Sequence, residues 1–188
     1  MVALSNQDQL FLNVGKCLTA WNMVEERVLN LLEYAHQRGG FGIAEINVGY
    51  WAVVSFEARL KWCNAVVSFR TRGDNYKELA ETWNALNNKL IAKARKRAEI
   101  AHGSVINVKP SSASEFTSHF VPFYHKRRLE HTLQPHDTYV QSDFIKDTTT
   151  LRVSEIKART QSFKQVRQSL AEFQTAWIKK DIETGFLE

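Results

Sequence analysis

Lys89-Leu90-Ile91-Ala92-Lys93-Ala94-Arg95-Lys96-Arg97-Ala98-Glu99-Ile100-Ala101-His102-Gly103 is a helix-favouring basic run that stops at Ala-His-Gly, with five Lys or Arg inside nine residues. Counting back by sevens from Arg97 reaches Leu90, Trp83 and Tyr76. Seven residues is nearly two helical turns, so Arg97 extends an apolar stripe and a charge stands where a core side chain is expected. An unpaired buried guanidinium is costly, so Arg97 is expected to face a carboxylate, a solvated cleft or an anionic ligand. His102 follows five residues later, and Gly103 reads as the residue past the helix end.

Working outward, Tyr76, Leu79, Trp83, Leu86, Leu90 and Ala94 recur at spacings of three and four, which predicts a third helix capped by Asp74 with Glu78 in its first turn. The first helix is expected from about Asn6 to His36, with Gln9 completing a capping box and Gly39-Gly40 stopping it. Its stripe is Leu10, Val14, Cys17, Trp21, Val24, Val28, Leu31 and Ala35; beside it Phe11, Leu18, Glu25 and Leu32 place Glu25 as a second inward charge. Residues 37–54, with four glycines among Phe41, Tyr50 and Trp51, read as an irregular connection whose aromatics cover the core. Ser55 caps a second helix over 56–71, with stripes Phe56, Leu60, Cys63, Val67 and Arg59, Trp62, Val66, Phe69; Arg59 is a third inward-leaning charge, close enough to the helix start to snorkel.

From Ser104 to about Val153 the period turns alternating or irregular, and Val105–Val108, Phe116–Lys126, Thr138–Ile145 and Thr149–Val153 are candidate strands. The last helix opens at Ser154, carrying Ile156, Thr160, Phe163, Val166, Leu170, Phe173 and Trp177 inward. The chain is therefore expected to be mainly α: a single domain over residues 1–188, a four-helix up-and-down bundle with a small β-rich insertion (about 104–153) between the third and fourth helices.

Arg97, four residues and His102 at the end of a helix resemble the signature of the HEPN superfamily of small helical proteins, Arg followed after four to six residues by His. Trp21-Asn22-Met23-Val24-Glu25 is also similar to a Trp-Asn-x-x-Glu pattern of some small proteins related to that family. The resemblance implies a homodimer whose paired Arg-His motifs line one groove, and a metal-independent endoribonuclease of toxin or defence type. In such a site His102 acts as general acid or base, Arg97 holds the phosphate, and attack by the 2′-hydroxyl leaves a cyclic phosphate. An antitoxin or nucleotidyltransferase partner is implied as well. One departure stands out: Ala98 occupies the position after the Arg where catalytic members usually carry Asn or Asp. The alternative is thus a non-catalytic module binding nucleic acid, a nucleotide or a protein partner.

On an unbroken helix Arg97 and His102 lie about 140° apart around the axis, so they do not converge without a loosened last turn or a second subunit. Bland readings stand beside the chemical ones. His102 can bond freed carbonyls at the helix end, Arg97 can pair with Glu25, and Glu25 can orient Arg97 or Arg59, polarise His102, or simply serve as a buried salt-bridge carboxylate. Lys93, Arg95 and Lys96, with Lys89, form a candidate phosphate-tracking surface or an ordinary solvated face. In the insertion Lys126, Arg127 and Arg128 form a candidate nucleic-acid-binding tip. His125, His131 and His136 are close together, but their spacings match no common zinc pattern, so no metal or cofactor is expected.

Bulk properties agree with this class. The 188 residues carry 44% hydrophobic and 24% charged residues, and a formal charge of +5 makes a polyanion partner plausible. Cys17 and Cys63 both lie on apolar stripes and suit reduced core thiols. With no leader-like N-terminus and no window of membrane-spanning length, the expected compartment is the cytoplasm. Phosphate-cradling Gly-rich loops, Gly-x-Ser-x-Gly elbows and His-Glu-x-x-His motifs are absent from the sequence.

Overall fold

A computed structural model describes residues 5–37, 42–109, 117–122, 140–141 and 150–186. Among these the chain is mainly helical: α1 (Asn6–Gln37), α2 (Ile43–Ala52), α3 (Phe56–Arg70), a short 3-10 turn (Asp74–Tyr76), α4 (Lys77–Ala101) and α5 (Val153–Glu183). Between α4 and α5 lie β1 (Ser104–Lys109), β2 (Thr117–Val121) and the two-residue β3 (Val140–Gln141). β1 is central: it pairs antiparallel with β2, Ser104 opposite Val121 and Val108 opposite Thr117, and parallel with β3. Phe120 adds an isolated antiparallel bridge to Leu151, just before α5.

Two of the expected helix starts are refined and one stands. α1 is capped by Ser5, whose hydroxyl accepts from the Asp8 amide at 3.1 Å and donates to the Asp8 carboxylate at 2.7 Å; Asp8 rather than Gln9 completes the box, because position N3 is counted from Ser5. α3 starts as expected, the Ser55 hydroxyl accepting from the Ala58 amide at 3.2 Å. Asp74 opens a 3-10 turn, with Gly73 as its cap, before α4 begins at Lys77.

The larger correction is α2, where an irregular connection was expected. Ile46 and Tyr50, four apart, are its buried residues, and Gly42 supplies an extended residue ahead of Ile43. Val48 and Trp51 point outward and are exposed, so the segment is apolar on more than one side and shows no helical period.

The chain divides into two compact units: Met1–Ala20 with Arg95–Ser162, and Trp21–Ala94 with Phe163–Glu188. The first unit buries Leu10, Cys17 and Ala20 of α1, Ile100 of α4, Phe120 and Val121 of β2, and Ile156 of α5. Its α1 is tied to the sheet where the Asn6 side chain donates to the Ser118 carbonyl at 2.9 Å.

The second unit is organised by three fully buried tryptophans, Trp21, Trp83 and Trp177. The Trp21 ring lies 4.8 Å from that of Phe56 and 5.1 Å from that of Phe163, both edge-on, and Trp83 lies 5.4 Å from Phe173. Such rings supply large buried area plus a preference for edge-on contact. Leu60, Cys63 and Val67 of α3 are buried as their stripe requires, whereas Phe69, expected inward, is 59% exposed.

Candidate functional site

The end of α4 carries the Arg97–His102 motif in the first unit. Arg97 is half-buried, and its Nε is a buried donor with no hydrogen-bond partner among the described residues. A buried donor left unpaired costs about 1–3 kcal/mol, so this guanidinium is held at a price that packing alone does not explain. His102 is exposed and stays on the last helical turn, its amide donating to the Ala98 carbonyl at 3.2 Å. The Gly103 amide follows with a tighter bond to the Ile100 carbonyl at 3.4 Å.

Gly103 does lie just past the helix, but not for the left-handed backbone that its position suggested: among the described glycines positive φ occurs at Gly185. A side chain at 103 would bring its Cβ within 2.6 Å of Phe120 Cε1 and 2.8 Å of the Val121 carbonyl oxygen. Glycine is required there because β2 lies directly against the helix end, and β1 starts at the next residue. The sheet thus fixes where α4 stops, and with it where His102 sits.

Two residues after Arg97, Glu99 takes part in an ion pair that the sequence pattern did not single out. Arg159 of α5 reaches Glu99 with Nη1 2.7 Å from Oε2, and the same nitrogen donates to the Lys96 carbonyl at 3.2 Å; Lys96 Nζ lies 3.5 Å from the other Glu99 oxygen. The signal was present, since Arg159 falls on the stripe of Ile156 and Phe163 at spacings of three and four. Cys17 of α1 is buried, and burial pushes its thiol upward against the weaker opposing pull of Thr160 and Arg159 of α5.

Glu25 belongs to the second unit, where both carboxylate oxygens are engaged. Trp21 Nε1 donates to Oε1 at 2.6 Å, and Arg59 Nη1 lies 2.7 Å from Oε2. Of the partners the sequence offered, Arg59 is the one that takes the carboxylate. Arg59 also donates through Nε to the Val53 carbonyl at 2.8 Å and stands 4.7 Å from the Trp51 ring centre and 5.2 Å from that of Tyr50. The Tyr50 hydroxyl closes the group by donating to the Glu25 backbone carbonyl at 3.0 Å. Burial, then the neighbouring Glu25 charge, hold the Tyr50 phenol well above its ordinary value, so it stays a neutral donor. Trp21-Asn22-Met23-Val24-Glu25 thus has a local structural reason: Trp21 and Glu25, four apart, meet on one face.

A second buried carboxylate, Asp181, was not singled out from the sequence. It is fully buried near the end of α5 and accepts from the hydroxyls of Tyr34 and, at 2.8 Å, Tyr76. It too continues a stripe, four residues after Trp177.

Of the proposed phosphate-tracking residues, Arg95 and Lys96 are exposed and Lys93 is half-buried on α4. Lys126, Arg127 and Arg128, with His125, His131 and His136, lie outside the described residues. Among the described residues no group of three or more His, Cys, Asp or Glu is placed to hold a metal, and no helix is long and apolar enough to cross a membrane. Two open clefts, of about 620 and 290 Å³, occur in the second unit near the start of α4, and Asp74 and Lys77 line both. Arg97 and His102 line neither.

Compared with known proteins, the chain matches no family model, no curated protein and no solved structure.

Proposed function

We propose that this chain is a HEPN-like, RNA-directed protein of the four-helix up-and-down type, acting in the cytoplasm as a metal-independent endoribonuclease through Arg97 and His102. The observation that carries the reading is the buried Arg97 Nε without a hydrogen-bond partner among the described residues, five residues ahead of an exposed histidine. A phosphate that reaches Nε as the packing around it opens satisfies that donor and the guanidinium charge together, and Arg is the side chain suited to a bidentate phosphate grip.

In the proposed reaction Arg97 holds the scissile phosphate and offsets the negative charge that grows on it in the transition state. His102 supplies an imidazole, the side chain suited to moving a proton at neutral pH. The substrate 2′-oxygen loses its proton and bonds to phosphorus as the bond to the 5′-oxygen breaks. The leaving oxygen takes up a proton, giving a 2′,3′-cyclic phosphate and a 5′-hydroxyl. One imidazole cannot serve both proton transfers at once, and Arg97 and His102 are about 140° apart on their helix. A homodimer that joins two motifs in one groove supplies the second imidazole. Light scattering that finds a monomer at micromolar concentration would remove this part of the reading.

Ala98 favours a second reading, a binding module that keeps the guanidinium grip and has lost the cleavage chemistry, with RNA, a nucleotide or a partner such as an antitoxin or nucleotidyltransferase as its ligand. Incubation of labelled single-stranded RNA and transfer RNA with the protein in EDTA separates the two. Cyclic phosphate ends from wild type, absent with Arg97→Ala and His102→Ala, support the nuclease; tight RNA binding by an inert wild type supports the module.

A further inference from the structure

Arg70-Thr71-Arg72-Gly73 leaves α3 beside an aromatic ring that the fold does not bury. Phe69 was expected on an inward stripe, yet it is 59% exposed. Two cations gather on it: the Arg72 guanidinium lies 5.1 Å from the ring centre and that of Arg70 lies 5.9 Å away. Among the described residues neither Arg has an ion pair. Two like charges drawn to one exposed ring repel each other, and the ring face offsets only part of that.

Arg72 also lines the 290 Å³ cleft, whose other charged lining residues are Lys77 and Asp74 and whose buried lining residues include Trp83 and Thr71. Two cations thus face one anion there. An exposed ring, two guanidinium planes and a cationic lip offer what an unpaired nucleotide presents, a flat base joined to a phosphate. An acidic peptide would meet the charges and leave the ring unused.

We propose that the turn between α3 and α4 is a docking surface for single-stranded nucleic acid, with a base stacked on Phe69 and the adjoining phosphates met by Arg70, Arg72 and Lys77. This surface belongs to the second unit and shares no residue with the motif at the end of α4, and it requires binding only, so it does not depend on cleavage.

The test is fluorescence anisotropy of a labelled single-stranded oligonucleotide, as RNA and as DNA, against the whole chain at roughly 50 mM salt, where backbone contacts are strong. Phe69→Leu is expected to bind about tenfold or more weakly, since stacking is lost while an exposed apolar side chain remains. Three phosphate contacts give a log–log salt slope of about −2, and Arg72→Gln brings it to about −1.4. Unchanged melting curves for both variants show that the fold is intact. Failure of wild type to bind, equal binding of duplex, equal competition by polyglutamate, or undiminished binding by the Phe69→Leu, Arg72→Gln double variant would each overturn the proposal. Oligonucleotide binding retained in Arg97→Ala would support it whether or not the wild type cleaves RNA.

Discussion

Removing Arg59 tests how the second unit is held together. In Arg59→Met the stem is kept but the guanidinium goes, and with it the 2.7 Å pair to Glu25, the 2.8 Å bond to the Val53 carbonyl and the cation over Trp51. Glu25 is 7% exposed and retains the Trp21 indole as a donor, so its charge is left buried with one hydrogen bond. Breaking a buried pair from one side costs about 3–5 kcal/mol, and the surviving indole bond places this case near the lower end. The lost cation–π contact adds about 0.5–1 kcal/mol. For a chain of this size a loss of about 3 kcal/mol lowers Tm by roughly 6–12 °C. Urea denaturation and calorimetry of Arg59→Met, Glu25→Gln and the double variant measure it, and the double variant should recover much of the loss because no charge is then stranded. A loss below about 1 kcal/mol in Arg59→Met would refute the reasoning, since values that small belong to exposed pairs.

Other outcomes follow from the same contacts. Gly103→Ala places a methyl against Phe120 and the Val121 carbonyl and should cost about 1–3 kcal/mol, read as a lower urea midpoint, while Gly73→Ala, with nothing closer than 3.7 Å, should cost far less. Asp181→Ala removes the acceptor shared by the Tyr34 and Tyr76 hydroxyls, the latter keeping Thr184 Oγ1 at 2.9 Å, and should destabilise by about 1–2 kcal/mol, with Asp181→Asn milder because an acceptor remains. Burial raises the thiols of Cys17 and Cys63, and the phenol of Tyr50, above their unfolded values. All three stay protonated in the folded state, so their contribution is full below about pH 8.5 and is lost as pH rises through the folded values. Urea midpoints at pH 7 and pH 10 should fall in that order, and both thiols should resist alkylation at pH 7 until the chain unfolds.

Much of the helical framework is legible from spacing. The stripe from Ile156 to Trp177 in α5 and the run from Leu60 to Val67 in α3 turn inward as read, because core packing and helical period agree there. α2 escapes because its outward residues, Val48 and Trp51, are as apolar as its buried ones, and glycines surround it. Phe69 misleads for the related reason that a stripe shows which residues share a face and not where the neighbouring helix ends. The inward charges divide in a similar way. Arg59 and Glu25 were both visible as interruptions of apolar lines, and their pairing was among the alternatives. Glu99 and Asp181 were not, since the first sits in a run of charges and the second near a helix terminus, where a polar residue is unsurprising. The geometry of Gly103 needed a contact with β2, distant in sequence, that no local pattern records.

The most direct measurement is cleavage of labelled single-stranded RNA in EDTA by wild type, Arg97→Ala and His102→Ala. The account predicts products ending in cyclic phosphate from wild type, none from either variant, and unchanged melting of the exposed-site variant His102→Ala. Equal cleavage by wild type and both variants, or products with 3′-hydroxyl ends, would contradict it.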